Sequence, residues 1–417
     1  MNKQKQLLIK KYIFLMTILI FCLIFSLKYL TIAFNFYNTA TPRAIDNHFT
    51  LLAQSLIKGR LDLQPGSYRF PNADLALYKG KYYVYFGPLP AILAIPGVLM
   101  KGDRYPSSLV SLFSSIICFL LVYKIAKKFR FQKTDSWWLA IFFVFGTLVA
   151  SVALIFFSAY QTQIIGLLFI LLSINEYLNN KRYFLMGFYI SMAMATRINL
   201  FLTLIFFILT LIQDKKSINQ KLINLVKLLT PIVLILIILF LYNFVRFGNF
   251  LETGFRYNTA ISLSTDFQAA LRYGLFSFHH IPTNLYYLFF KGFDIFVEPN
   301  TNIATFPYLG HDGWGLSIIF TSPLFILPFF LPGLKKSFNE ILTIVIIAIP
   351  IMTYYGIGYI QYGYRYAMDF YPFLLLILLK SFNGKLLFSH KILIVYSVFI
   401  NLFYMYSYWG GYPFINL

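Results

Sequence analysis

Apolar runs recur from one end of the chain to the other, and short basic clusters separate them. The first run extends from about Ile13 to Ala33 and the last from about Ile392 to Tyr408, and the runs between them include the predicted spans Trp137–Phe157 and Trp314–Leu331. About 20 helical residues cross the hydrocarbon core of a bilayer, which is the length of most of these runs. The pattern predicts an all-α polytopic membrane protein with about 11 transmembrane helices.

Composition excludes the soluble classes. Of the 417 residues, 59% are hydrophobic and 12% are charged, and the mean hydropathy is +0.70. A soluble domain carries about 25% charged residues. The two cysteines, Cys22 and Cys118, each lie within an apolar run. They support neither a disulfide framework nor a zinc site.

The formal net charge of +21 indicates membrane topology rather than nucleic-acid binding. Lys and Arg sit in short clusters between apolar runs, which is the distribution that the positive-inside rule produces. Placing these clusters in the cytoplasm predicts a cell-membrane protein with a cytoplasmic N-terminus. Residues 1–417 then form a single integral membrane domain, with outer loops at residues 34–106 and 246–313. Functional chemistry is expected on this extracytoplasmic side.

The run Tyr183–Ile212 starts and ends beside basic clusters, so both of its ends are predicted to be cytoplasmic. At 1.5 Å per residue it makes about 45 Å of helix, whereas two crossings need about 60 Å. It therefore predicts a hairpin of two short helices that turns near Ala195–Asn199. Arg197 lies at this turn, and a charge at membrane depth marks a cavity or a substrate path. The alternative is that Arg197 reaches the outer headgroups.

The first outer loop predicts two helices along the membrane surface. Thr41 and Pro42 are typical of a helix start, and Gly59 is placed to end that helix. Asp46 falls off the apolar stripe of this helix, near the membrane–water boundary. Its alternative role is to stabilise the positive helix N-terminus. The stretch Ala91–Met100 is too short to span and predicts a second interfacial helix.

These features resemble the GT-C glycosyltransferase superfamily, within it the branch of protein O-mannosyltransferases and aminoarabinose transferases. Asp46 falls on the first acid of the family's opening helix, and residues 59–63 fall on the turn that follows it. Lys79-Gly80-Lys81-Tyr82 and Gly87-Pro88-Leu89 fall on the later motifs of the loop. Asn47 departs from the second acid of the pattern, and Tyr85-Phe86 replace an acid-Lys pair. The resemblance covers about residues 10–250, and residues 251–417 are more variable.

The resemblance implies an enzyme that transfers a sugar from a polyprenyl-phosphate donor to an acceptor hydroxyl outside the membrane. Asp46 would be the catalytic base. The candidate donor-phosphate ligands are Arg197, Arg246 and Arg365. Arg246 and Arg365 are expected at the outer interface, where anchoring to lipid headgroups is their alternative role. Secondary substrate-binding candidates are His48, Lys81, Tyr82, Glu252 and Asp312. The acceptor would be a glycan, a lipid or a protein.

Neither a nucleic-acid partner nor a cofactor is expected. The His279-His280 and His311-Asp312 pairs lack a third ligand at metal-binding spacing. Two other classes of function remain open from the sequence. One is a transporter or flippase for lipid-linked saccharides, and the other is a non-catalytic membrane protein of envelope assembly.

Overall fold

The structure is a computed structural model that describes residues 48–64, 75–155, 157–259, 268–269, 271–298, 300–358 and 361–409. Its helices are α1 (His48–Ile57), α2 (Leu89–Lys101), α3 (Ser108–Lys128), α4 (Lys133–Phe145), α5 (Val149–Leu154), α6 (Ser158–Leu178), α7 (Tyr183–Met194), α8 (Leu204–Ile212), α9 (Ile218–Phe247), α10 (Ile281–Leu285), α11 (Ile318–Thr321), α12 (Phe338–Thr353), α13 (Tyr371–Phe382) and α14 (Phe388–Trp409). Two antiparallel hairpins pair β1 (Leu75–Tyr78) with β2 (Lys81–Val84) and β3 (Asp294–Val297) with β4 (Ala304–Gly310).

The architecture is that of an α-helical membrane protein. Among the described residues, four helices are long and apolar enough to cross a bilayer, namely α3, α6, α9 and α14. Shorter apolar helices include α1, α7 and α12. The count of about 11 crossings stays a prediction, and the predicted first span, Ile13–Ala33, lies outside the described residues.

Two predicted spans differ from single helices. The span Trp137–Phe157 is divided into α4 and α5, and Gly146 ends the first of them. The span Trp314–Leu331 contains only the short α11, followed by 3₁₀ turns that begin at Pro323 and continue through Pro328. Proline lacks the N–H group that a continuous helix needs, so apolar composition did not by itself produce a helix here.

The predicted hairpin in Tyr183–Ile212 is confirmed. Helix α7 ends at Met194, and a 3₁₀ helix, Ile198–Thr203, leads directly into α8. Lys216, just after α8, places its Nζ 5.4 Å from the ring centroid of Tyr183, the first residue of α7. The two ends of the hairpin therefore lie on the same side, with Arg197 at the turn between them.

The helices pack through one large apolar core. Its members come chiefly from α3, α4, α6, α7, α13 and α14. Helix α9 lies against α7, and a Cβ added at Gly187 would lie 2.0 Å from the carbonyl oxygen of Leu228. Such close backbone contact at a small residue is typical of helix pairs in membranes. Much of the remaining surface of α9 is exposed and apolar, as lipid contact requires.

The four acids in segments predicted to be cytoplasmic each pair with a basic side chain. These pairs are Asp135 with Lys391 (2.8 Å), Glu176 with Arg182 (2.8 Å), Glu340 with Lys380 (2.6 Å) and Asp214 with Lys216 (3.7 Å). Asp135 also accepts the backbone N–H of Leu386 at 3.0 Å, which joins the starts of α4 and α14. These contacts give the four acids a structural role and direct the search for chemistry to the outer side.

Candidate functional site

The described part of the first outer loop contains a β-hairpin that was not predicted. Strands β1 and β2 pair from Leu75 with Val84 to Tyr78 with Lys81. Lys79 and Gly80 form the turn with φ of +49° and +73°. The signal was present in the sequence, because apolar residues flank a two-residue turn that contains glycine. The hairpin and α2 together carry the loop towards the turn of the α7–α8 hairpin.

Asp46, the predicted base, and its neighbour Asn47 lie outside the described residues. His48, two positions later, is buried at the start of α1, and its Nδ1 lies 3.0 Å from the hydroxyl of Ser158. Ser158 is the first residue of α6. Thr50 is also buried and donates to the carbonyl of Tyr105 at 2.8 Å. The helix that follows Asp46 is thereby held against the N-terminal end of α6.

The segment between β2 and α2 caps the end of α7. The backbone N–H of Gly87 donates to the carbonyl of Thr196 at 3.2 Å, and that of Leu89 donates to the carbonyl of Ala195 at 3.3 Å. Carbonyls at and just beyond the C-terminal end of a helix have no partner within it, and these contacts satisfy those of Ala195 and Thr196. A Cβ at Gly87 would lie only 2.1 Å from the carbonyl oxygen of Ala195. Glycine is therefore required for this approach of the first loop to the turn that bears Arg197.

Replacing Gly87 by alanine should loosen this junction. The added Cβ must displace the backbone at Ala195, and overpacking of this kind costs about 1–3 kcal/mol. Thermal unfolding of the purified protein in detergent should show a lower midpoint for Gly87→Ala. Gly80→Ala is the matched control, since it has a positive φ but no atom within 4 Å of the added Cβ. A Gly87→Ala midpoint at or above that of Gly80→Ala would contradict the steric account.

Arg197 forms an ion pair inside the protein. Its Nη2 lies 3.2 Å from Oδ2 of Asp369, and the two side chains are 16% and 2% exposed. The side-chain amide of Asn199 donates to the same carboxylate oxygen at 2.7 Å. The guanidinium also lies 5.7 Å from the ring centroid of Tyr366. The α7–α8 turn is thereby fixed to the 3₁₀ helix Arg365–Phe370, which precedes α13.

Arg365 is buried and lies near the same tyrosine. Its guanidinium lies between the rings of Tyr160 and Tyr366, at 4.6 and 4.7 Å from their centroids. Its Nη1 donates to the side-chain oxygen of Gln163 at 3.3 Å, and the amide of Gln163 donates back to the carbonyl of Arg365 at 3.3 Å. Two of the three predicted phosphate ligands therefore meet around Tyr366, beside the first turns of α6.

A small cavity of about 10 Å³ lies next to Arg365, which is room for about one water molecule. Its lining includes Leu148, Val152 and Ile155, in and beside α5, together with Tyr160 and Arg365. Apolar side chains and a guanidinium group therefore share the lining of this cavity.

Arg246 lies apart from this pair. It is buried at the end of α9 with its guanidinium 3.8 Å from the ring centroid of Tyr242. It donates to the carbonyl of Val84 at 2.8 Å and to the side chain of Asn243 at 2.7 Å. These contacts hold β2 against α9, and a phosphate-binding role for Arg246 stays a prediction.

The secondary candidates other than His48 are dispersed. Lys81 is exposed at the start of β2, and Tyr82 packs partly buried against the apolar cluster of α1 and α2. Glu252 pairs with Arg256 and accepts the backbone N–H of Gly254.

Asp312 anchors a loop. It accepts the Tyr287 hydroxyl at 3.0 Å and the backbone N–H groups of Trp314 and Gly315, each at 3.0 Å, and its Oδ2 lies 3.3 Å from Nζ of Lys291. None of the contacts described for Lys81, Tyr82, Glu252 or Asp312 reaches Arg197 or Arg365.

The sequence did not predict the polar residues that support the two arginines. Gln163 and Asn199 are amides at the borders of apolar runs, and this placement was the available signal. Among the described residues, no group of three or more His, Cys, Asp or Glu side chains is arranged to hold a metal ion. The site thus contains two guanidinium groups with aromatic neighbours near the N-terminal end of α6, and Asp369 is paired with one of them.

No family model and no curated protein matches the sequence. Among solved structures, the chain is similar to the crystal structure of the oligosaccharyltransferase of Archaeoglobus fulgidus in the apo form, with a TM-score of 0.47 and 13% sequence identity. The alignment covers 96% of this chain and 56% of the archaeal chain, so the protein spans little more than half the length of that relative.

Proposed function

We propose that the protein is a membrane glycosyltransferase that uses a polyprenyl-phosphate sugar donor on the outer face of the membrane. One observation carries the proposal: the helix after Asp46, the turn with Arg197 and the segment with Arg365 converge at the N-terminal end of α6. The ion pair of Arg197 with Asp369, the amide contacts of Gln163 with Arg365 and the contact of His48 with Ser158 define this convergence.

The arginines suit the phosphate of such a donor. A guanidinium carries five N–H donors in a planar fork. This fork matches phosphate oxygens in a bidentate geometry, so the side chains of Arg197 and Arg365 have the chemistry that a phosphate ligand requires. The isoprenoid tail would lie in the bilayer, with the sugar just outside it.

Asp46 completes the mechanism in this proposal. It precedes His48 by two positions, and two residues of fully extended chain span at most about 7 Å. The reaction is a single displacement, in which the acceptor oxygen forms a bond to the anomeric carbon as the bond from that carbon to the phosphate oxygen breaks. Asp46 takes the proton of the acceptor hydroxyl, and polyprenyl phosphate leaves with its charge stabilised by Arg197 and Arg365.

The purified protein in lipid vesicles tests the proposal. With a panel of polyprenyl-phosphate-linked sugars, we expect release of polyprenyl phosphate from at least one donor. Release should depend on added acceptor, and Asp46→Asn protein prepared in parallel should fail to produce it. Transmembrane movement of an intact lipid-linked saccharide without donor cleavage would instead establish a transporter. Failure of both activities across the panel would favour the non-catalytic assembly role.

A further inference from the structure

The segment Leu275–Phe290 exposes several large aromatic rings while it buries an amide. Asn284 in α10 is completely buried, whereas Phe276, Phe278 and Phe290 are 62%, 82% and 69% exposed. A segment that faced water would show the opposite arrangement, with the amide outside and the rings inside. Large exposed rings grouped around a buried amide are characteristic of contact with an apolar medium.

The buried amide binds this segment to the end of a membrane helix. Nδ2 of Asn284 donates towards the carbonyls of Met352 and Tyr354, each at 3.0 Å, and towards that of His280 at 3.1 Å. The hydroxyl of Tyr364 donates to Oδ1 of Asn284 at 2.7 Å. Both polar atoms of the amide are thus engaged within the protein, so water is not needed to solvate it.

Backbone contacts reinforce the attachment. The N–H of Ser277 donates to the carbonyl of Thr353 at 2.8 Å, and the N–H of Tyr355 donates to the carbonyl of Leu275 at 2.9 Å. Thr353 is the last residue of α12. The exposed rings therefore begin where this helix ends.

Helix α12 is too short to cross the membrane by itself. Its 16 residues make about 24 Å of helix, whereas the hydrocarbon core is about 30 Å thick. Val345 and Ile349 give α12 an exposed apolar face. The segment is hydrogen-bonded to Thr353 and Tyr355, so it adds its exposed rings at the C-terminal end of α12.

The charge of the segment fits the same medium. The segment and the residues that flank it, from 268 to 293, contain no Asp or Glu. The exposed basic side chains in this range are Arg272, which precedes the segment, and His279 within it. Aromatic rings with basic neighbours and no acids are typical of protein surfaces at anionic lipid headgroups.

From these observations we infer that Leu275–Phe290 is a membrane-seated segment whose rings enter the headgroup–acyl boundary of the bilayer at the C-terminal end of α12. Its partner is the lipid surface itself. The inference is independent of the proposed activity, because it rests on the segment and α12 alone. It also has a consequence for the site, since the Asn284–Tyr364 hydrogen bond connects the segment to the residue before Arg365.

Site-directed fluorescence can test whether the segment contacts the membrane. Cys22 and Cys118 are replaced by alanine, single cysteines are introduced at Phe278 or Phe290, and each is labelled with bimane. The protein is reconstituted in vesicles of phosphatidylethanolamine and phosphatidylglycerol. Thr301 is the matched control, because it is exposed in the polar turn between β3 and β4 and hydrogen-bonds Glu298.

Labels at Phe278 and Phe290 should lose roughly half of their fluorescence to a lipid that carries a spin label high on its acyl chain, because rings of an interfacial segment lie about 5–10 Å inside the headgroup–acyl boundary. The Thr301 label should instead respond to aqueous iodide and not to the lipid. The inference is overturned if the labels at Phe278 and Phe290 respond as Thr301 does, which would place them in water. It is also overturned if they respond to neither quencher, which would indicate that this chain or a second copy of it covers the two positions.

Discussion

Asp46→Asn should reduce turnover by about 10²- to 10⁴-fold, the usual contribution of general acid–base catalysis. The substitution keeps the size of the side chain and most of its hydrogen-bonding capacity, but an amide cannot accept the proton of the acceptor hydroxyl at neutral pH. The measurement is the rate of polyprenyl phosphate release by wild-type and variant protein reconstituted at equal density. If Asp46 serves only the helix N-terminus, stability should change by about 1 kcal/mol or less and the rate should stay near that of wild type.

Asp62→Asn provides a control in the same loop. The Arg60 guanidinium donates to the Asp62 carboxylate at 2.7 Å, and this hydrogen bond holds the pKa of Asp62 below its usual value. Asp62 is thus committed to a structural ion pair and has no proton to move in the mechanism. Asp62→Asn should retain turnover. Wild-type turnover in Asp46→Asn, with a donor that wild type consumes, would assign the base to another acid.

Arg197→Ala should destabilise the protein strongly, because it leaves the buried carboxylate of Asp369 without its cation. Removing one partner of a buried ion pair costs about 3–5 kcal/mol. The expected result is a marked drop in the thermal midpoint and in the yield of folded protein. Replacing both partners, as in Arg197→Ala with Asp369→Asn, removes the unpaired charge and should recover most of this loss. A single variant as stable as wild type would contradict the ion pair.

Donor binding separates the structural role of Arg197 from its proposed role with phosphate. Arg197→Lys keeps a cation opposite Asp369 but loses the planar fork, so it should fold while its apparent affinity for donor falls. The double variant Arg197→Ala with Asp369→Asn should also fold, and it should bind donor less tightly than Arg197→Lys does. Wild-type donor affinity in that folded double variant would limit Arg197 to an anchor for the α7–α8 turn.

Helices were predictable where one physical signal dominated. The long spans α3, α6 and α9 follow from continuous apolar runs, because backbone groups in lipid must bond within a helix. The short α7–α8 hairpin followed from a length argument on Tyr183–Ile212. The division of Trp137–Phe157 and the 3₁₀ turns after Pro323 did not follow, because hydropathy measures burial in lipid and takes no account of backbone breaks.

The site was predictable in part for the same kind of reason. Arg197 and Arg365 stand out because a charge in an apolar segment is expensive and therefore noticeable. Their meeting around Tyr366 depends on contacts between distant parts of the chain, which local patterns do not encode. A charge in an apolar segment does not by itself identify a site residue. Arg246 is equally conspicuous in the sequence, yet it binds the carbonyl of Val84 and fixes a β-hairpin.

The contact of Asn199 and Arg197 with Asp369 also sets an order of assembly. Asn199 and Asp369 are separated by 170 positions, and ribosomes add about 5–20 residues per second. The turn with Arg197 therefore exists for roughly 10–30 s before its anionic partner is synthesised. During that interval Arg197 must be solvated at the membrane surface, because an unpaired charge in lipid is costly. We therefore expect the α7–α8 hairpin to reach its final depth late in biogenesis, after synthesis of the 3₁₀ helix before α13.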